Sequence, residues 1–440
     1  MKLANYANGH KDISIKEEDS RFLQKTKSII VVYKQHFIYL FNSNNKMERL
    51  ITLSKRKETT ALPNFTRYLK QEIDWSQRLI LILGHRGAGK TTLILQRMRE
   101  VQSQKIYLSL DDFHFEENRL ALVIEELYTL GYRYFFLDEA HRYSNWSVDL
   151  KTIFDSYEDT HVVVSGSSIL GLEKGKADLS RRAAVYRLAG LSFREFINLE
   201  LGKNFHSYSL TEILDGHSGI SDEISDEIDV LNLFQDYLQF GYFPFYSMGK
   251  DLYLTRLLQT THLVLEMDIG PFEEIAHKTM RNMKKLLFVL SESVPFTPNI
   301  LKLAEKLDTS RNTVLKILDL LSQAQILNLL HTSTQGISQL QKPEKVYLQN
   351  SNLAFALGPQ EPNPGNIRET FFFNQLQVKY QVTSPKYGNF MIDDRFVFEV
   401  GGPSKSAHQI QGVPSSYLAI DNIKSGSGNR IPIWLFGFLY

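Results

Sequence analysis

The sequence predicts an α/β fold built on a parallel sheet, and two stretches carry that prediction. From Leu79 onward short apolar runs alternate with helical ones, which is how a parallel sheet covered on both faces reads. Inside that alternation Arg78–Arg97 reads RLILILGHRGAGKTTLILQR: an apolar strand stops at Gly84, a glycine-rich loop follows, and a helix opens at Lys90–Thr91. Gly84, Gly89, Lys90 and Thr91 fill the pattern G-x-x-x-x-G-K-[ST] in the strand-then-helix setting it requires. Farther along, Tyr132–Arg142 (YRYFFLDEAHR) ends a buried strand in Asp138–Glu139. Open α/β sheets bind their ligands at that carboxyl end of the strands. Together these features predict a P-loop NTPase that binds a nucleoside triphosphate with Mg²⁺.

Each residue type in the loop has a chemical task. Glycines at 84, 87 and 89, with Ala88, let the backbone curl so that successive N–H groups face phosphate oxygens. Lys90 is a point charge for the β and γ phosphates, and Thr91 offers its hydroxyl to Mg²⁺. Thr92 follows in the first helical turn, where the helix dipole favours an anion. Asp138 is placed to hold Mg²⁺ through water, and Glu139 to polarise the attacking water.

Strands are predicted at Leu79–Leu83, Ile106–Leu108, Tyr132–Leu137, His161–Ser165 and Ala184–Leu188, with helices at Thr91–Val101, Asn118–Leu130 and Ser147–Tyr157 between them. The fourth strand, HVVVSGSS, is expected beside the first. There Ser165, Ser167 or Ser168 is a candidate sensor of the γ-phosphate, and a polar strand-end turn is an equal reading. Arg181 and Arg182 in LSRRAAVYRL are candidates for a guanidinium that stabilises transition-state charge, in the same or a neighbouring subunit of an oligomer. A solvated surface pair is the alternative.

Composition sets the outer bounds. At 440 residues the chain exceeds one core, and 43% hydrophobic with 22% charged residues is the balance of a soluble globular protein. A net charge of +1 leaves any nucleic-acid surface local. The absence of cysteine excludes disulfides, thiolate metal sites and cysteine nucleophiles. The apolar neighbourhood Ile29–Phe41 is broken by Lys34, Gln35 and His36, too polar to cross a bilayer, and MKLANYANGHKDIS lacks a signal-peptide core. A cytoplasmic protein without a membrane partner is expected.

GHRGAGKTT, IYLSLDD, FFLDEAHR followed by Trp146, VVVSGSS, LSRRA, LAGLSFREF and YLQFGYFPFY (237–246) resemble the AAA-type ATPases of archaea and bacteria, from about residue 80 to 440. The resemblance implies an NTPase of the AAA (ASCE) type that uses ATP, followed by a C-terminal domain of uncharacterised function. That family usually has a single arginine after a glycine where this chain has Arg181–Arg182.

The remaining divisions are read from pattern. Residues 1–74 form a leader, in which Leu62–Ile73 reads as a helix delivering the chain to the first strand, and 75–205 the ATPase domain. Within 206–288, Thr211–Val230 is rich in acids (Glu212, Asp215, Asp222, Glu223, Asp226, Glu227, Asp229) and lacks Lys and Arg, which suggests a mobile acidic linker. Leu231–Phe288 then reads as a helical connector. Residues 289–350 have a winged-helix rhythm, with Asp308–Arg311 as the turn and Ser310 or Asn312 as a cap. Leu327–His331 and Lys345–Leu348 supply wing strands. Double-stranded DNA is a candidate partner through 299–348, with Arg311, Asn312 and Lys316 toward the groove, and a protein partner is the alternative. In 351–440, Glu369, Asp393–Asp394 and Glu399 resemble the carboxylates of restriction-type nucleases. The lysine expected two residues after the last acid is Gly401, and Lys405 substitutes only if the chain bulges back, so an inactive nuclease-like α+β domain is expected. The function these parts predict is ATP hydrolysis coupled to movement of the C-terminal domains. A nucleotide-gated switch with negligible turnover is the alternative.

Overall fold

The computed structural model describes residues 46–166, 179–269, 277–293, 297–333, 342–358 and 361–440. The chain divides into two units, Met1–Thr60 and Ala61–Tyr440. Of the first, a helix over 46–59 is described.

In the second unit five strands form one all-parallel sheet: β1 (Leu79–Gly84), β2 (Lys105–Ser109), β3 (Tyr134–Asp138), β4 (His161–Gly166) and β5 (Ala184–Leu188). Their order is β2-β3-β4-β1-β5. Every residue of β1 is buried, as are the centres of β2, β3 and β4, because helices cover both faces; β5, at the edge, alternates. The helices between them run Lys90–Glu100, Leu120–Thr129 and Trp146–Ser156, within two residues of the periodicity's prediction. As expected, β4 pairs with β1, Leu79 opposite Val162. The strand of the glycine-rich loop and the strand of the acids are therefore not adjacent, since β4 runs between them.

The acid-rich stretch is not a mobile linker but the 18-residue helix Leu210–Glu227. Ser209 and Glu212 form a capping box at its start, and Leu210, Ile213, Leu214, His217, Ser221 and Ile224 line its buried face. The acids ride on the other side, so charge marked a solvated face rather than a break. Residues 61–74 of the expected leader pack into this unit, where Tyr68, Leu69 and Ile73 lie in the main core. Only Leu69–Glu72 of the expected 62–73 helix is helical.

The connector holds helices Val230–Phe240, Tyr253–Leu263 and His277–Ser293, and the second of these runs on into a π-helix, Val264–Ile269. Two further helices follow, Ile300–Lys306 capped by Asn299 and Arg311–Gln323 capped by Ser310. An antiparallel pair comes next, β6 (Leu327–Leu330) with β7 (Lys345–Leu348). Past a helix over Pro364–Leu376, the last segment forms a mixed sheet of β8 (Val382–Thr383), β9 (Phe390–Ile392), β10 (Phe396–Gly401), β11 (Ser416–Ile420) and β12 (Arg430–Pro432). β8, β9 and β10 are antiparallel, while β10, β11 and β12 are parallel. One aromatic core joins the two sheets: Phe193 touches Phe234, Tyr237 and Phe438, and Phe371 touches Phe234 and Tyr237. Among the described residues no helix is long and apolar enough to cross a membrane.

Candidate functional site

The carboxyl ends of β1, β3 and β4 meet at one place. Gly84 ends β1 where a Cβ would lie 2.3 Å from the Leu188 carbonyl oxygen, so only glycine lets β5 approach. The loop then turns through Gly87 and Gly89 at φ of 85° and 96°, a region closed to most side chains. Gly89 is the N-cap of the helix Lys90–Glu100, which leaves the helix's first amides pointing into the loop. Lys90 is buried and donates to the Gly84 and His85 carbonyls at 2.8 and 2.9 Å. Burial pushes its ammonium down to about 8, against the pull of Glu139 and Asp138.

Asp138 ends β3 only 3% exposed, and it is the centre of a polar cluster. Its Oδ2 accepts from the Thr91 hydroxyl at 2.7 Å and the Tyr107 hydroxyl at 2.8 Å. Its Oδ1 accepts from Ser165 of β4 and from the Glu139 amide at 3.1 Å. A glycine loop, a buried lysine and a hydroxyl–carboxylate pair thus converge at the carboxyl end of a parallel sheet ordered β2-β3-β4-β1-β5. This is a P-loop NTPase fold.

The donor set of the NTPase domain suits the ligand that such a loop implies. Thr91 and Asp138 present two adjacent hard oxygens, as Mg²⁺ requires, and the amides of Gly87, Ala88 and Gly89 with Lys90 suit phosphate. Thr92, half-buried, stands in the first helical turn. Glu139 sits in the left-handed region at φ 54°, a strained position for a residue with a side chain. Burial and the neighbouring Asp138 raise its carboxyl above the usual range. A cavity of about 550 Å³ opens beside it, lined among others by Arg86, Asp111, Glu116 and Arg142.

Two further features complete the site, and of these only the aromatic stretch carried a signal, within YLQFGYFPFY. Arg67, 4% exposed, grips the loop from behind: Nη1 donates to the Ala88 carbonyl, Nη2 to Ala189 and Gly190 (both 2.8 Å), and the guanidinium pairs with buried Glu195 at 3.0 Å. The stretch 242–246 (YFPFY) forms a floor under it. Phe243 lies 4.8 Å from the His85 ring, and a Cβ on Gly87 would come within 2.8 Å of Phe245. Tyr242 carries this contact onward, its hydroxyl accepting from the Gly190 amide (3.1 Å), Gln349 (2.7 Å) and Asn374 (3.2 Å).

Other expectations fare differently. Ser167 and Ser168 lie outside the described residues; Ser165 faces Asp138. Arg182 is held by Asp155, Nε to Oδ1 at 2.8 Å, and Arg181 is exposed. Both precede β5 and so stand where the parallel strands begin, at the opposite end of the sheet from the loop. That placement removes them from this chain's own phosphate site.

In the C-terminal sheet Asp393 and Asp394 form the β9–β10 turn, at φ of 50° and 52°, and do not join Glu399. Asn389, just before β9, accepts from the Val400 amide at 2.8 Å and donates to Glu369 at 3.2 Å. Lys405 does fold back: its stem fills the space beside Gly401, and its ammonium pairs with Glu399. Glu369 is satisfied by Tyr347 (2.7 Å) and Lys345 (3.2 Å). Among the described residues no three His, Asp or Glu side chains are gathered as a metal site.

Comparison with known proteins gives matches to parts of the chain. Residues 76–197 match the family model of an AAA domain, and residues 231–363 match a domain of unknown function, DUF8612. An uncharacterized protein of Methanocaldococcus jannaschii, MJ1637, is 23% identical over 300 residues, 63% of each chain. The chain thus spans less than two thirds of that relative's length. Among solved structures, a Walker-type ATPase of Pyrococcus abyssi aligns over 68% of this chain and 99% of its own, at 14% identity and a TM-score of 0.40. The Orc1 protein of Aeropyrum pernix in complex with DNA aligns over 63% and 86%, at 12% identity and a TM-score of 0.29.

Proposed function

We propose that this protein binds ATP with Mg²⁺ at the β1 loop, hydrolyses it, and uses the cycle to move the connector and C-terminal segments against a DNA or protein partner. The observation that carries this is the 2.7 Å contact between Thr91 and Asp138, which supports reading them as the two halves of a Mg²⁺–phosphate site on either side of β4. Thr91 and Asp138 would hold the ion, which would supply charge neutralisation to the phosphates. Lys90 leaves its carbonyl partners to bridge the same oxygens, the loop amides fix the chain of phosphates, and Glu139 orients water and takes its proton. Arg181 is a candidate to act on a neighbouring subunit's phosphate, since it is exposed and far from its own.

Coupling has a physical route. A phosphate that reshapes the loop at Gly87 presses on Phe245, and Tyr242 in the same stretch bonds Gln349 and Asn374 of the C-terminal half. Two successive helices, Ile300–Lys306 and Arg311–Gln323, followed by the antiparallel β6–β7 pair support the winged-helix reading. Arg311, Asn312 and Lys316 are exposed on its second helix, which supports double-stranded DNA as the partner. The C-terminal sheet serves as packing, because the Asp393–Asp394 turn does not join Glu399 and, among the described residues, no three acids or histidines gather there, although Lys405 does reach Glu399.

The test is phosphate release by wild type, Lys90→Ala and Glu139→Gln, with and without DNA. Wild type should release phosphate, Lys90→Ala should fail to bind ATP, and Glu139→Gln should bind it without release. Binding without release in wild type, with and without DNA, would instead establish a nucleotide-gated switch.

A further inference from the structure

One charged side chain at the site has no evident structural reason to be there. Asp268 lies at the end of the connector, in the π-helix Val264–Ile269, an arrangement that recurs at functional positions. It is 6% exposed, and neither carboxylate oxygen has a hydrogen-bond partner. A buried acid kept for packing alone is almost always satisfied, since leaving it bare costs stability. This one faces the phosphate site. Its Oδ1 is 3.8 Å from His141 Nε2, and the same nitrogen is 3.4 Å from Glu139 Oε2. Arg142, Arg86 and Lys90 lie within electrostatic reach and Glu139 opposes them, while burial drives the Asp268 carboxyl up to about 6.

His141 stands between two carboxylates and, held neutral by burial and Arg142, has at most one Nε2 proton to give. Donated to Glu139, that proton occupies the oxygen that must accept from water. Donated to Asp268, it leaves Glu139 open. Resting on the hydrolysis reading above, we propose that Asp268 is a positioning residue by which the connector controls turnover: it draws the His141 N–H away from Glu139, so the Glu139 carboxylate can take a proton from the attacking water. Only hydrogen bonds change in this step, and the proton removed from water ends on Glu139. Because Asp268 belongs to the connector, movement of that segment sets the distance to His141 and thereby the rate.

The experiment compares wild type with Asp268→Ala and Asp268→Asn in three measurements: MgATP affinity, steady-state phosphate release, and melting temperature without nucleotide. The expected result is unchanged affinity and KM, a fall of about tenfold or more in kcat, and a higher melting temperature, because a buried carboxylate without a hydrogen-bond partner has been removed. A purely structural residue would lower the melting temperature and move kcat and KM together, which would overturn the proposal. Undiminished kcat in both variants beside an active wild type would overturn this proposal alone. A wild type that binds ATP and releases no phosphate would overturn the hydrolysis reading and this proposal with it.

Discussion

Replacing Arg67 by alanine should both loosen the fold and weaken nucleotide binding, and the geometry sets the size of each effect. The guanidinium is 4% exposed, and its partner Glu195 is fully buried. Removing the arginine leaves Glu195 with the Tyr68 amide at 2.7 Å and the Ser192 amide at 3.3 Å, but with no countercharge. Stripping one member from a buried ion pair costs about 3–5 kcal/mol. For a unit of this size that corresponds to a melting-temperature fall of about 4–6 °C. The second effect follows from Nη1, which holds the Ala88 carbonyl and so fixes the loop's curl. With that bond lost, MgATP affinity should drop about tenfold, equivalent to one net hydrogen bond or about 1.4 kcal/mol. Arg67→Lys should recover part of the stability and little of the affinity, since an ammonium cannot span Ala88, Ala189, Gly190 and Glu195 at once. Thermal melts and isothermal titration with MgATP read both quantities. An Arg67→Ala protein that melts within a degree of wild type and binds MgATP equally would refute the reasoning.

Two other outcomes test the coupling route and the partner. Tyr242→Phe keeps the ring but strands the Gly190, Gln349 and Asn374 donors, and it should cost about 1–3 kcal/mol in chemical denaturation. It should also blunt any stimulation of phosphate release by DNA. Arg311→Ala should weaken duplex DNA binding across all sequences and lower the slope of log K against log salt by about one, read by fluorescence anisotropy at several salt concentrations.

The central sheet was legible because the middles of β1 to β4 are short, almost wholly apolar runs. Leu79–Leu83 and Val162–Val164 had no other place to go than between two layers of helices. Lys90, Thr91 and Asp138 were legible because a glycine-rich turn and a strand-end acid require those types at those places. The helix Leu210–Glu227 is hidden by its acids, beneath which Leu210, Ile213, Leu214 and Ile224 keep helical spacing. Arg67 and Asp268 escaped notice for another reason. Nothing in NFTRYL or VLEMDI separates them from surface charges, and their partners, Glu195 and His141, lie far away along the chain. The pair at 181–182 looked catalytic by type, yet a sheet whose strands all run one way puts the residues before β5 and the loop after β1 at opposite ends.

The aromatic floor beneath Gly87 bears on how such a chain can diverge. Because Phe245 lies where a Cβ at 87 would go, the loop and the 242–246 stretch constrain each other's substitutions even though most of the first half of the chain separates them from any shared motif. Homologous sequences should therefore vary in step at these two places. A graft that transplants the nucleotide-binding segment without its distant aromatic stretch should inherit a cradle with no bed to lie on.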